Sequence, residues 1–181
     1  MVAEMVKLRK GKMTDEQVRA ALSKSNYFGT MLVKMGGADC LLGGATYSTA
    51  DTVRPALQLI KTKTRQQHRK LLLHLVRGDE KIAMGDCAIN IDPSEDDLVE
   101  IAIESAKTAK IFGIDPKVAM LSYSTLGSGK GPSVTKVANA TKKIKEAAPE
   151  LAVEGEIQFD ASVSPEVAES KMSWFTSSWT G

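Results

Sequence analysis

The segment from Ser94 to Val134, SEDDLVEIAIESAKTAKIFGIDPKVAMLSYSTLGSGKGPSV, constrains the fold more than any other part of this chain. Its first twenty residues repeat apolar positions at helical spacing, with Ser94 as cap, acids in the first turn, lysines in the last and Gly113 just beyond. The run Lys117 to Tyr123 then has the length and apolar character of a buried strand. Glycines follow, and Pro132 suits the first position of another helix. Helix, strand, glycine turn and helix in this order form a unit of alternating α/β structure.

The same alternation extends along the chain. Helices are predicted over Val2 to Lys10, from Thr14 with a Thr14-Asp-Glu-Gln17 capping box, over Tyr27 to Met35, over about Thr52 to Lys61, over Pro132 to about Ala148 and over 165–171. Strands are predicted at Ala38 to Gly43, 81–91, 117–123 and 151–157. The expected fold class is α/β, a mostly parallel sheet with helices on both faces, in which ligands gather at the carboxyl ends of strands. Both glycine-rich turns, Gly43-Gly44 and Gly127 to Gly131, fall at such ends.

The second turn invites comparison with a phosphate-binding P-loop. Gly129 and Lys130 match the end of that motif, but Ser124 stands in place of its first glycine and Gly131 in place of its hydroxyl. A more general expectation survives: backbone N–H groups at a strand end and a helix start bind an anion.

Charge and cysteine usage limit the partners. With 24 Lys and Arg against 22 Asp and Glu, the formal net charge of +2 provides no basic excess for a nucleic-acid backbone. Cys40 and Cys87 form no paired motif, which fits a reducing compartment. The start of the chain lacks a signal-peptide core, and no window approaches a membrane span. A cytoplasmic protein without membrane or nucleic-acid partners is therefore expected.

For chemistry, GGATYSTADTVRPALQLI, residues 43–60, is the most informative run. Proline is tolerated in a first helical turn, so Pro55 is expected there, with Arg54 at the helix mouth beside Ser48, Thr49 and Thr52. Such a group would bind phosphate through a guanidinium fork, hydroxyls and the helix dipole. Equally, Thr49, Asp51 or Thr52 could simply cap the helix while Arg54 makes a surface ion pair. Arg9, flanked by lysines, reads from pattern alone as a solvated basic helix end. Cys87 has no histidine near it in sequence and reads as a small hydrophobe rather than a nucleophile. His68 and His74 lie outside metal-ligand spacing, so no metal is expected. Asp86, Asp92, Asp96 and Asp97 read as strand-end and capping acids. Asp160 either faces the ligand crevice or caps the last helix.

The runs NYFGTMLVKMGGADCLLGGATYSTADTVRPALQLIKTK, GDCAINIDPSEDDLVEIAIESAKTAKIFGIDPKVAMLSYSTLGSGKGPSVTKV and EGEIQFDASVSPEVAESK closely resemble bacterial phosphate acetyltransferases, or phosphotransacetylases. The resemblance covers residues near 4–63 and 76–171. It implies interconversion of acetyl-CoA and phosphate with acetyl phosphate and CoA, these being substrates with no tightly bound cofactor. It also implies a two-domain fold like isocitrate and isopropylmalate dehydrogenases, and a homodimer. On this resemblance Arg9 and Arg54, with Ser48 and Thr49, hold the phosphates of CoA, and Ser128, Gly129, Lys130 and Asp160 line the cleft.

Three features depart from the family pattern. Its N-terminal segment is expected to be only partly present, and the stretches 64–75 and 172–181 differ from it. Its Ser-Arg-Gly motif and the catalytic aspartate near it have no match, which leaves the catalytic residue unassigned. The chain is thus expected to be a fragment, inactive by itself. Residues 1–60 would be a partial first α/β domain with crossover helices, 61–171 a second α/β domain and 172–181 an irregular tail. Helices deprived of their sheet would expose Tyr27, Phe28, Leu32 and Val33. A butyryl-type acyltransferase and a non-catalytic CoA-binding or interaction module remain the alternatives; an oxidoreductase is disfavoured because no G-x-G-x-x-G follows a strand.

Overall fold

Four helices start at a side-chain cap, supplied by Thr14, Ser48, Ser94 and Ser164. A computed structural model describes residues 1–61 and 71–172. It divides into two units, Met1–Gln67 and His68–Gly181.

The first unit is helical: α1 (Val2–Arg9), α2 (Asp15–Leu22), α3 (Ser25–Lys34) and α4 (Thr49–Leu59). The capping box predicted at Thr14 is present. Thr14 Oγ1 accepts from the Gln17 N–H at 3.2 Å, and Gln17 Oε1 accepts from the Thr14 N–H at 3.0 Å. Met5, Val18, Ala21, Met31 and Leu59 form the core, one or two residues from each helix.

Two expectations for this unit are corrected. Residues 38–43 are not a strand: no strand is described in the unit to pair with them, and Leu42 is 97% exposed. An extended segment without a ladder partner leaves its backbone groups to solvent. Pro55 is not in the first turn either, because α4 begins at Thr49 and carries Pro55 in its interior. A proline there removes the bond to the carbonyl four residues back, that of Asp51. Asn26, a buried residue of α3, supplies the replacement, its Nδ2 donating to the Asp51 carbonyl at 3.2 Å. Of the four apolar residues expected to be exposed, Phe28 is 44% exposed. Tyr27 instead packs against the core and donates its hydroxyl to Gln58 at 2.9 Å, while Leu32 and Val33 are half-buried.

The second unit contains β1 (Leu72–Arg77), β2 (Glu80–Gly85), α5 (Glu95–Ile111), β3 (Lys117–Leu121), α6 (Pro132–Ala147), β4 (Ala152–Ile157), α7 (Phe159–Val163) and α8 (Pro165–Lys171). Helix α5 starts in a capping box between Ser94 and Asp97 and is followed by Gly113 at φ 76°. Helix α6 starts with Pro132 at its first position. Ala102, Met120, Ala140, Ile144 and Val153 bury themselves between α5, α6, β3 and β4, and Ile157, Ala161, Ala168 and Met172 form a second cluster.

The described strands make two small sheets where one mostly parallel sheet was expected. β1 and β2 are an antiparallel hairpin, Leu72 opposite Gly85, and β3 pairs in parallel with β4. The strand predicted over 81–91 stops at Gly85, because Asp86 takes a left-handed conformation at φ 58° and turns the chain out of the ladder. β1 went unpredicted; it begins inside the stretch 64–75 that the sequence reading set apart from the family pattern. The remainder of that stretch to residue 70, with His68, and the tail from 173 lie outside the described residues.

Candidate functional site

In the first unit the predicted anion group is assembled around the start of α4. Ser48 is the helix cap: its Oγ accepts from the Asp51 N–H at 3.1 Å and donates to Asp51 Oδ2 at 2.7 Å. Thr52 donates to the Ser48 carbonyl at 3.0 Å. Thr49 is the first helical residue and exposed. The cap is therefore Ser48, a residue that the pattern reading placed among the phosphate donors. Arg54 lies one turn further in than a helix mouth, and its guanidinium reaches back to within 3.8 Å of Asp51 Oδ1 with 57% of the side chain exposed. That contact is too long for a good hydrogen bond and too exposed to hold the guanidinium firmly.

Arg9 ends α1, a helix that packs against α4. It is not the fully solvated basic end that its neighbours suggested. The residue is half-buried, and among the described residues its Nε has no hydrogen-bond partner. A buried N–H left unpaired costs about 1–3 kcal/mol. The guanidinium thus has hydrogen-bonding capacity that the described protein groups do not use.

In the second unit the glycine turn is organised by a residue the sequence reading did not single out. Between β3 and β4 the register advances by two on β4 for one on β3, so that Glu156 is left out of the ladder. Such a bulge re-aims a side chain. Gly155 makes it possible: at φ 156°, a Cβ at this position would lie 2.6 Å from the Cβ of Met120 and 2.8 Å from its carbonyl oxygen. The Glu156 carboxylate, 5% exposed, turns into the loop, where Oε1 accepts from the Gly127 N–H at 2.7 Å and from the Ser124 hydroxyl at 3.1 Å. The Gly129 N–H donates to Ser124 Oγ at 2.9 Å, and the Ser128 N–H donates to the Thr125 carbonyl at 3.1 Å.

These bonds correct the expectation of an open phosphate cradle. The N–H groups from Gly127 to Gly129 are already satisfied, that of Gly127 by the Glu156 carboxylate itself and that of Gly129 by the Ser124 hydroxyl which the carboxylate holds. Loop-forming glycines are legible in sequence; a glutamate some thirty residues later is not, unless the bulge is known. Ser128 and Lys130 remain exposed at the approach to α6, and the Lys130 carbonyl accepts from the Tyr123 hydroxyl at 3.0 Å.

Asp160 is joined to this loop indirectly. Its Oδ2 accepts from Lys171 Nζ at 2.7 Å, the same ammonium donates to Gln158 Oε1 at 2.9 Å, and Gln158 bonds Thr125. The Lys171 bond holds the Asp160 carboxyl below its ordinary value of 3.8. Asp160 does not cap the last helix; Ser164 does, accepting from the Val167 N–H. Cys87 is exposed and its thiol donates to the Met84 carbonyl, while the His74 and Phe112 rings meet at a 42° tilt with centroids 4.2 Å apart. Of the other acids, Asp92 pairs with Lys136, Asp96 pairs with Lys143 and Asp97 completes the cap of α5. Asp86 is different: burial raises its carboxyl above the ordinary range against a hydrogen bond from Asn90, and among the described residues Oδ1 has no partner. Among the described residues no three His, Cys, Asp or Glu cluster as metal ligands do, and no helix is long and apolar enough to cross a membrane.

Comparison with known proteins places this arrangement. The profile of the phosphate acetyl/butaryl transferase family matches residues 1–181. The chain belongs to that family. The phosphate acetyltransferase of Bacillus subtilis is 57% identical over 171 residues, 94% of this chain but 53% of the relative. A phosphotransacetylase structure from Streptococcus pyogenes superposes with a TM-score of 0.81 at 53% identity, over 95% of this chain and 53% of that one. A branched-chain phosphotransacylase from Enterococcus faecalis, 23% identical with a TM-score of 0.62, shares the fold. The chain spans about half the length of the relatives it matches. Within the family, the helical unit with Arg9 and Arg54 and the α/β unit with the Glu156-braced loop are the two portions represented.

Proposed function

We propose that this chain is part of a phosphate acetyltransferase, which transfers acetyl between CoA and inorganic phosphate. One observation carries the reading: the family match over all 181 residues, with 57% identity to a phosphate acetyltransferase. Arg9 and Arg54, with Ser48 and Thr49, hold the phosphates of CoA. The unpartnered Nε of Arg9 and the loosely tethered guanidinium of Arg54 support this. Ser48 would have to release Asp51 to contribute its hydroxyl. Ser128, Gly129, Lys130 and Asp160 line the cleft, with Lys130 as the cationic member.

In this reading a carboxylate base removes the proton of the CoA thiol. The thiolate attacks the acetyl phosphate carbonyl, a C–S bond forms, the C–O bond to phosphate breaks, and phosphate leaves with the electron pair. No residue of this chain is assigned as the base, since the Ser-Arg-Gly motif has no match in the sequence. The full protein takes the two-domain dehydrogenase-like fold, forms a homodimer and works in the cytoplasm in acetate metabolism. The butyryl alternative stays within the family description, but the most similar relatives carry the acetyl name.

The test is an assay of the purified 181-residue chain with acetyl phosphate and CoA, alongside calorimetric titration with CoA. Binding without acetyl-CoA formation above background is expected. A rate near that of the Bacillus subtilis enzyme would show that the base lies within these residues.

A further inference from the structure

Among the described residues three lysines of the second unit reach the loops that follow its strands. Two are engaged: Lys136 Nζ lies 2.6 Å from Asp92 Oδ1, after β2, and Lys171 Nζ lies 2.7 Å from Asp160 Oδ2, after β4. The third, Lys130, follows β3. Its side chain is exposed, and its ammonium has neither an ion pair nor a hydrogen bond among the described residues. Its backbone, by contrast, is held on both sides. The Gly129 N–H donates to Ser124 Oγ at 2.9 Å, and the Lys130 carbonyl accepts from the Tyr123 hydroxyl at 3.0 Å. A Cβ on Gly129 would come within 3.0 Å of the Tyr123 ring, and one on Gly131 within 2.7 Å of its hydroxyl oxygen, so residues 129–131 follow the tyrosine closely and Lys130 carries their only side chain.

Behind this stretch stands Glu156. Ser124 is fully buried and donates to Glu156 Oε1 at 3.1 Å, and the same oxygen accepts from the Gly127 N–H at 2.7 Å. The glutamate is 5% exposed, and no lysine or arginine among the described residues pairs with it. A neutral acceptor would satisfy these two neutral donors at a lower desolvation cost. What an ionised acceptor adds is stronger, shorter hydrogen bonds, and hence a loop held in one place.

We infer that Glu156 is a positioning residue: through Ser124 and Gly127 it sets the loop that presents the Lys130 ammonium to the reaction's second anion, the phosphoryl group of inorganic phosphate or acetyl phosphate. The inference rests on the reading of Lys130 as a cleft-lining cation. That reading gives the phosphates of CoA to Arg9 and Arg54 and leaves the phosphoryl group without a cation in this chain, and Lys130 is the unengaged one of the three lysines. A lysine on a loose loop loses freedom when it binds an anion, and a backbone fixed beforehand reduces that cost. The Glu156 charge itself repels an anion, so positioning and electrostatics predict effects of opposite sign when it is removed.

Calorimetric titration of the 181-residue chain with inorganic phosphate at constant ionic strength tests this. Lys130→Ala should weaken binding by roughly tenfold, the worth of one charge-assisted hydrogen bond. Lys142→Ala, the same change of charge at an exposed position of α6, should leave it unaltered. Glu156→Ala should weaken binding by about fivefold or more through loss of the preset loop, although loss of its charge alone would strengthen it. Glu156→Gln keeps the acceptor and should bind at least as well as the parent. In a Lys130→Ala background Glu156→Ala should add nothing. If Glu156→Ala fails to fold, Ser124→Ala, which cuts the link to the Gly129 N–H, gives the same readout. Glu156→Ala binding as tightly as the parent, or Glu156→Gln falling as far as Glu156→Ala, would overturn the positioning role and leave Lys130 in the cleft. An unchanged affinity in Lys130→Ala, or a parent that binds no phosphate, would instead overturn the reading of Lys130 on which the inference rests.

Discussion

Asn26 Nδ2 donates to the carbonyl of Asp51 at 3.2 Å, and that carbonyl is the one Pro55 leaves without its helical partner. The pair ties α3 to α4 at the point where α4 would otherwise be weakest. It also fixes the turn of α4 that carries Arg54, so a residue of the neighbouring helix helps to determine where the guanidinium stands.

A double-mutant cycle measures this coupling. Asn26→Ala should destabilise the first unit by up to about 1–3 kcal/mol, the cost of leaving a part-buried carbonyl without its donor. In a Pro55→Ala background the backbone N–H at position 55 can bond Asp51 itself, so the same change should cost distinctly less. Equal losses in both backgrounds, by urea denaturation, would mean that Asn26 does not compensate for the proline.

Glu156 makes a second, separate claim. Glu156→Ala removes the acceptor of both the Gly127 N–H and the Ser124 hydroxyl, at about 1–3 kcal/mol for each orphaned donor. Glu156→Gln keeps an acceptor oxygen of the same shape and should cost much less. Amide exchange at Gly127 and Gly129 should accelerate in the alanine variant; unchanged protection there would leave the loop ordered by something else.

Two carboxyls predict opposite pH behaviour. Asp86 is raised above its ordinary 3.8, chiefly by burial, so the folded state binds its proton more tightly than the unfolded chain does. Its contribution to stability therefore falls as pH rises from 3.8 through the folded value. Asp86→Asn should raise the melting temperature near neutral pH and flatten that decline. Asp160 is lowered, chiefly by Lys171, so its contribution is present above 3.8 and lost as pH falls below it. Asp160→Asn should weaken the acid-side loss only slightly, because the pair is exposed. A melting-temperature profile for Asp86→Asn parallel to the parent above 3.8 would refute the first assignment.

CoA titration tests the two arginines. Loss of a charge-assisted hydrogen bond to phosphate is worth about 1.5–3 kcal/mol, so Arg9→Ala and Arg54→Ala should each weaken binding by roughly tenfold or more. Arg19→Ala, which breaks only the exposed pair with Asp15, should leave the affinity unchanged. Equal affinities for Arg54→Ala and the parent would remove Arg54 from the site.

Much of the local structure was legible in the residues. Capping boxes at Thr14 and Ser94, the proline opening α6 and the glycine ending α5 act within a few positions of themselves, and helix ends obey such short-range rules. Site residues were less so. Arg54 and Arg9 could be named from family resemblance, but pattern alone read Arg9 as a solvated end, because nothing local reveals that tertiary packing will bury its Nε. Pro55 was misplaced for the same reason: the first-turn rule assumes that no distant donor will serve the freed carbonyl, and Asn26 does.

By itself, then, the sequence determined most of the helices, though not α7, the strand predicted over 117–123 and found at Lys117–Leu121, the glycine turn and the family, since all of these rest on contacts between near neighbours or on long runs of identity. Tertiary structure alone decided the partners: that residues 38–43 stay unpaired, that β1 and β2 close on each other, and that a bulge turns Glu156 into the loop where an anion was expected. The physical reason is that strand pairing and buried hydrogen bonds join groups far apart in the chain, and their energies depend on which groups are left over once the helices have packed.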